Sequence, residues 1–177
     1  MGINQAAEEQ VNAQRPRVET FSARKIPLLS SGSTMTLLGE TPGLWAHIKV
    51  YADGGENGMH SHAAEDHLFY VLEGQARFFG PDEHETLVGP NEGVLVPHGA
   101  LYSFRATGLS NLVMLRVGSA IAGASEERVI SKKSGDALPK AMMIRLGEDG
   151  HDFSPATDAN GAGALQGVPI PGSFVGD

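Results

Sequence analysis

Cysteine is absent from the 177 residues, and with it go disulfide staples, thiolate zinc sites, iron–sulfur clusters and cysteine nucleophiles. Any metal must therefore be held by nitrogen or oxygen. Positive charge is scarce: 13 Lys+Arg stand against 21 Asp+Glu, for a formal net charge of −8. Such a balance opposes broad attraction to phosphate backbones or anionic lipid, so neither nucleic acid nor a membrane surface is an expected partner. No apolar run approaches the ~18–20 residues of a membrane span, and residues 1–10 have neither the basic start nor the apolar stretch of a secretion signal. The cytoplasm is the expected location. Aromatics reach only 6%, but the 41% hydrophobic and 19% charged residues are those of a folded soluble chain of one domain.

Glycine and proline are plentiful, with 23 and 10 copies that repeatedly interrupt short apolar stretches. The pattern predicts strands at 34–38, 44–51, 67–73, 76–79, 85–88, 93–97, 102–106 and 112–118. Close spacing and Gly/Pro/Asn/Asp connections point to an antiparallel sandwich or barrel rather than βαβ units. Residues 1–33 read as an N-terminal arm and first strand, with an Ala/Glu/Gln-rich stretch at 3–14 that could form a short helix ended by Arg15-Pro16-Arg17. Residues 34–118 are the expected barrel and 119–177 a C-terminal extension: a small-residue linker at 120–125, one further strand near 140–146, then a Gly/Pro-rich tail. That tail cannot build a core, yet it carries Phe153, Leu165, Val168, Ile170, Phe174 and Val175, which predicts docking onto the barrel or a partner subunit.

Seven histidines occur at 47, 60, 62, 67, 84, 98 and 151, and three of them fall within Met59-His60-Ser61-His62-Ala63-Ala64-Glu65-Asp66-His67. On an extended strand His60 and His62 project to one side, a few ångströms apart, and can grip one ion. Four residues then permit a turn, after which His67, Phe69 and Val71 share a face of the next strand. If that strand folds back, His67 meets the pair.

The stretch Gly54-x5-His60-x-His62-x4-His67-x6-Gly74 resembles the first motif of the cupin superfamily, G-x5-H-x-H-x3–4-E-x6-G. Asn91-x5-Pro97-x-Gly99-x2-Tyr102-x3-Ala106 resembles the second, G-x5-P-x-G-x2-H-x3-N. The motifs cover 54–106 and, with flanking strands, about 34–118. The resemblance implies an all-β double-stranded β-helix, a jelly-roll barrel that pairs as a homodimer. It also implies one divalent transition metal held by His60, His62 and His67, with His67 where the family usually has glutamate. Tyr102 stands at the position of the last histidine, as a ligand, a catalytic acid or base, or a packed aromatic. Asp66 would satisfy the shorter spacing, but counting back six from Gly74 lands on His67, and alternation puts Asp66 on the opposite face.

Three neutral imidazoles suit iron(II), here the expected ion, as well as zinc, nickel, manganese or copper. With no carboxylate the ion keeps its full charge, which favours an anionic chelating substrate. The leading expectation is a metal-dependent enzyme acting on a small organic oxyacid or diketone-like molecule, an iron(II) dioxygenase. The rivals are non-redox isomerase, cyclase or lyase chemistry with Tyr102 as acid/base, and a ligand-binding cupin without turnover. Elsewhere, His98 reads as an exposed turn residue and His84 as a hairpin tip. His47 shares its face with Trp45, Lys49 and Tyr51 and lines either the cavity or a subunit interface. Arg105 and Arg116 are structural partners or receivers of a substrate carboxylate. His151 matters only if the tail closes over the barrel.

Overall fold

The computed structural model describes residues 17–52, 58–82, 84–121 and 167–177, and the strand backbone at 128–130, 142–147 and 150–153. Among the described residues there is no helix, so none is long and apolar enough to cross a membrane. In chain order the strands are β1 (Pro27–Ser31), β2 (Ser33–Thr41), β3 (Leu44–Tyr51), β4 (His60–His62), β5 (Glu65–Glu73), β6 (Gln75–Phe79) and β7 (Glu85–Val88). They continue with β8 (Gly93–Val96), β9 (Ser103–Thr107), β10 (Leu112–Ala120), β11 (Arg128–Ile130), β12 (Met142–Gly147), β13 (Gly150–Phe153) and β14 (Val168–Phe174). All eight expected strands are present, but β5 begins at Glu65, two residues before its expected start.

One wide sheet runs β13-β12-β2-β3-β10-β5-β8, and a smaller sheet, β7-β6-β9, faces it. Strand β4 pairs with β11 on one side and is bridged through His60 to Tyr102 on the other. The result is an all-β double-stranded β-helix. Between the sheets lies the barrel core of Tyr51, Phe69, Val71, Ala76, Phe78, Val88, Val96, Tyr102, Phe104, Leu112 and Met114.

The back of the wide sheet is also covered. Alternation along β3 sends Ile48 and Val50 outward, where they join Ile26, Leu29, Ala52 and Val113 in a second core. Strand β1 lays this cover down and β14 pairs with it antiparallel, while Val175 packs against the same cluster. Asn111 pins β1 by accepting from Leu29 N–H at 2.6 Å and donating to Leu29 O at 2.8 Å. The tail's end thus docks on the barrel's own back. The expected helix at 3–14, most of the linker at 120–125 and the tail from 154 to 166 lie outside the described residues.

Candidate metal centre

The antiparallel register of β3, β10 and β5 decides which side chains meet inside the barrel, because directly paired residues share a face. Gly118 of β10 pairs with Trp45 on β3 and His67 on β5; Arg116 pairs with His47 and Phe69; Met114 pairs with Lys49 and Val71. The inner wall is therefore polar and aromatic at one end and more apolar toward the other. Gly118 is required at its place, since a Cβ there would run into the Trp45 ring.

Strand β4 closes this end. His60 N–H donates to Tyr102 O and Tyr102 N–H to His60 O, both at 2.9 Å, which sets the two side chains beside each other with ring centroids 4.5 Å apart. His62 is held too: Gly99 N–H donates to His62 O at 2.7 Å. The chain then turns through Ala63 and Ala64 and returns as β5, so the His62 and His67 ring centroids lie 4.3 Å apart and those of His60 and His62 5.1 Å apart. The structure brings together all three histidines and Tyr102, whose hydroxyl is 3.5 Å from His67 Nδ1.

It also adds a carboxylate that spacing alone had not placed. Glu65 shares strand parity with His67, and its Oε2 lies 2.8 Å from His67 Nε2 and 3.8 Å from His62 Nδ1. One ligand atom each from His62, Glu65 and His67 fall within 4.8 Å of one another. Trp45 Nε1–H donates to Glu65 Oε1 at 3.0 Å and fixes the carboxylate from behind. His60 stands next to this trio; its Nδ1–H donates to Gly58 O at 2.8 Å, which leaves Nε2 as the acceptor of that ring. Expectation and structure differ here for a simple reason: counting back from Gly74 selects one position, whereas a strand that starts at Glu65 turns two alternate side chains inward.

His67 and His47 are neutral near pH 7. Burial first, then the Arg116 guanidinium, hold His67 down to about 3, and burial followed by Arg116 and Lys49 holds His47 down to about 4. Arg116 Nη2 lies 3.1 Å from His67 Nδ1 and 3.3 Å from Nε2. The imidazoles of His62 and His67 and the carboxylate of Glu65, gathered within 4.8 Å, form a donor set that fits a divalent transition metal.

The remaining expectations divide. His47 lines the inner wall, stacked on Trp45 with centroids 4.6 Å apart. Arg116 is at the site, whereas Arg105 on β9 is exposed. His98 is exposed as expected, but not idle: its backbone N–H and Nδ1 both meet Asp66 Oδ1, at 2.7 and 2.9 Å, which clamps the turn after β8 onto β5. These bonds, the backbone one foremost, hold the Asp66 carboxyl below its usual range. Asp66 thus points away from the centre. His84 is exposed, and the side chain of His151 lies outside the described residues, as does Gly54. Asn91, in place of the motif glycine, takes a φ of 66°, a left-handed conformation that asparagine tolerates.

A family model described as "Cupin domain" matches residues 47–118. Among solved structures, a conserved protein with a double-stranded beta-helix domain from Klebsiella pneumoniae superimposes with a TM-score of 0.54 at 14% identity, over 66% of this chain and 100% of that one. KdgF from Halomonas sp. gives 0.52 at 16% identity, over 60% and 97%. The Cnp3 cupin domain of Schizosaccharomyces pombe gives 0.51 at 18%, over 59% and 75%. These likenesses show the fold. No curated protein matches the sequence.

Proposed function

We propose that this chain, whose residues 47–118 match a cupin domain, is a metal-dependent enzyme acting on a small organic oxyacid or diketone-like molecule, with iron(II) as the metal and dioxygen as co-substrate. The observation that carries this reading is the gathering of His62, Glu65 and His67 within 4.8 Å. Two histidines and one carboxylate are the set that non-haem iron(II) oxygenases use, and they leave positions open for substrate and dioxygen. His60 completes the set through Nε2, because its Nδ1–H already donates to a backbone carbonyl, the arrangement found behind most metal-ligating histidines. Bound there, the ion supplies Lewis acidity and electrons for dioxygen chemistry.

The rest falls to the chain's own groups. Trp45 orients Glu65, and Arg116 lies against the His67 ring. Phe69, Phe78 and Phe104, with centroids 5.2–5.8 Å apart, wall the inner end and exclude water. Tyr102, buried between His60 and Phe69, offers its hydroxyl as a proton donor or acceptor toward a substrate oxygen.

Elemental analysis of protein purified without added metal, followed by oxygen-electrode screening of 2-oxo acids, 2-hydroxy acids and diketones, tests the reading. Stoichiometric iron with substrate-dependent oxygen uptake is the expected result. Zinc or nickel without uptake would instead assign isomerase, cyclase or lyase chemistry. No bound metal would leave a ligand-binding barrel and overturn the proposal.

A further inference from the structure

Inside the barrel one guanidinium is only partly satisfied. Arg116 projects from β10 between the Trp45 and Phe69 rings, its guanidinium carbon 4.9 and 5.4 Å from their centroids. One nitrogen, Nη2, serves His67. Nε is buried with no hydrogen-bond partner among the described residues, and none of their ion pairs includes Arg116. Lys49, only 5% exposed, lies on the same inward face. Among the described residues Glu65, the acid of the candidate centre, is already shared among Trp45, His62 and His67.

We propose that Arg116 receives the carboxylate of the substrate, so that the molecule the barrel takes is an oxyacid anion rather than a neutral diketone. This rests on the metal reading above and names the substrate class of the same site. A guanidinium has five N–H donors in a rigid fork that matches a carboxylate. Orienting His67 uses one of them and needs only a neutral donor. Holding a full charge inside a barrel without a carboxylate partner is costly, and an incoming anion removes that cost. His47, which pairs with Arg116 across β3 and β10, has a second buried atom without a partner among the described residues, Nδ1, that can give the acid a further polar contact.

The test is calorimetric titration of lactate and lactamide, an anion and its neutral isostere, into the anaerobic metal-loaded protein and into Arg116→Gln and Arg116→Lys, with metal content and thermal midpoint measured for each. Wild type should prefer lactate. Arg116→Gln should weaken lactate by roughly tenfold or more, as expected for losing a charge-assisted bond, while lactamide and metal content stay unchanged. Arg116→Lys, which keeps the charge without the fork, should recover part of the loss and decides the matter if the Gln variant does not fold. Equal binding of both ligands by wild type, or undiminished preference in Arg116→Gln, would overturn the inference. Loss of metal in Arg116→Gln would also overturn it and reassign the residue to positioning His67. A wild type that holds no metal yet prefers lactate through Arg116 would uphold the carboxylate receptor and sink the metal reading alone.

Discussion

Glu65→Gln is the sharpest perturbation of the candidate centre, because it removes one charge and almost no volume. The ligand atoms of His62, Glu65 and His67 lie within 4.8 Å of one another, so an ion held among them is within about 4 Å of the carboxylate. At an effective dielectric of ~20, each unit of ion charge at ~4 Å is worth roughly 4 kcal/mol before desolvation offsets it. If desolvation cancels about half of the divalent sum, some 3–4 kcal/mol remains, or two to three decades in affinity. The amide keeps an oxygen for Trp45 Nε1–H, so the fold should survive. Competition against a chelator of known affinity should therefore show metal binding weakened by about a hundredfold or more, with an unchanged thermal midpoint of the metal-free protein. The same assay on His60→Ala separates the two ligand sets. If Glu65→Gln binds metal within about threefold of wild type while His60→Ala abolishes binding, the centre is the three-histidine set alone, and Glu65 merely orients His67.

Tyr102→Phe keeps the ring against His60 and Phe69 and deletes only the hydroxyl; metal content should hold while turnover falls by about a hundredfold, and loss of metal would make the phenol a ligand. Gly118→Ala drives a Cβ into the ring that backs Glu65, so denaturant melts should show a loss of ~1–3 kcal/mol and chelator competition a metal affinity about tenfold lower. Unchanged affinity there would show that Trp45 does not govern the carboxylate. Deleting residues 167–177 strips β14 from β1 and Val175 from the second core, for a midpoint roughly 2–8 °C lower, and no change would make that cover dispensable.

Local pattern carried most of the barrel. The β3 and β7 boundaries follow from alternating apolar residues between turn-forming ones, and His60, His62 and His67 come together because strand, turn and returning strand are all encoded within eight residues. Glu65 was within reach of the same alternation, being two before His67, but a motif spacing that singles out one residue hides its neighbour of equal parity. Arg116 was not legible in this way. Its place opposite His47 and Phe69 depends on β10 inserting between β3 and β5, a pairing across 47 to 69 sequence positions that no window of sequence displays. The β1–β14 cover is hidden for the same reason, since its two halves lie at opposite ends of the chain.

These long-range neighbours also change the charge account of the site. Read from the motif alone, a centre of three imidazoles attracts anions because no carboxylate offsets the ion. Glu65 removes that reason, yet Arg116 supplies another that does not depend on the ion at all. It acts on the ligands as well. A cation beside an imidazole disfavours its protonation, and Arg116 is the largest contributor after burial to holding His67 at about 3. Metal must compete with protons for a histidine, so a ring kept neutral throughout the physiological range gives up no proton when it coordinates. Repulsion between guanidinium and metal works in the opposite direction, and Glu65, in contact with His67 and facing His62, is placed to offset it. A carboxylate substrate at Arg116 would complete that compensation: it neutralises the guanidinium and thereby strengthens the hold on the ion. Acid and metal should accordingly bind with positive coupling, each raising the affinity of the other by the same factor.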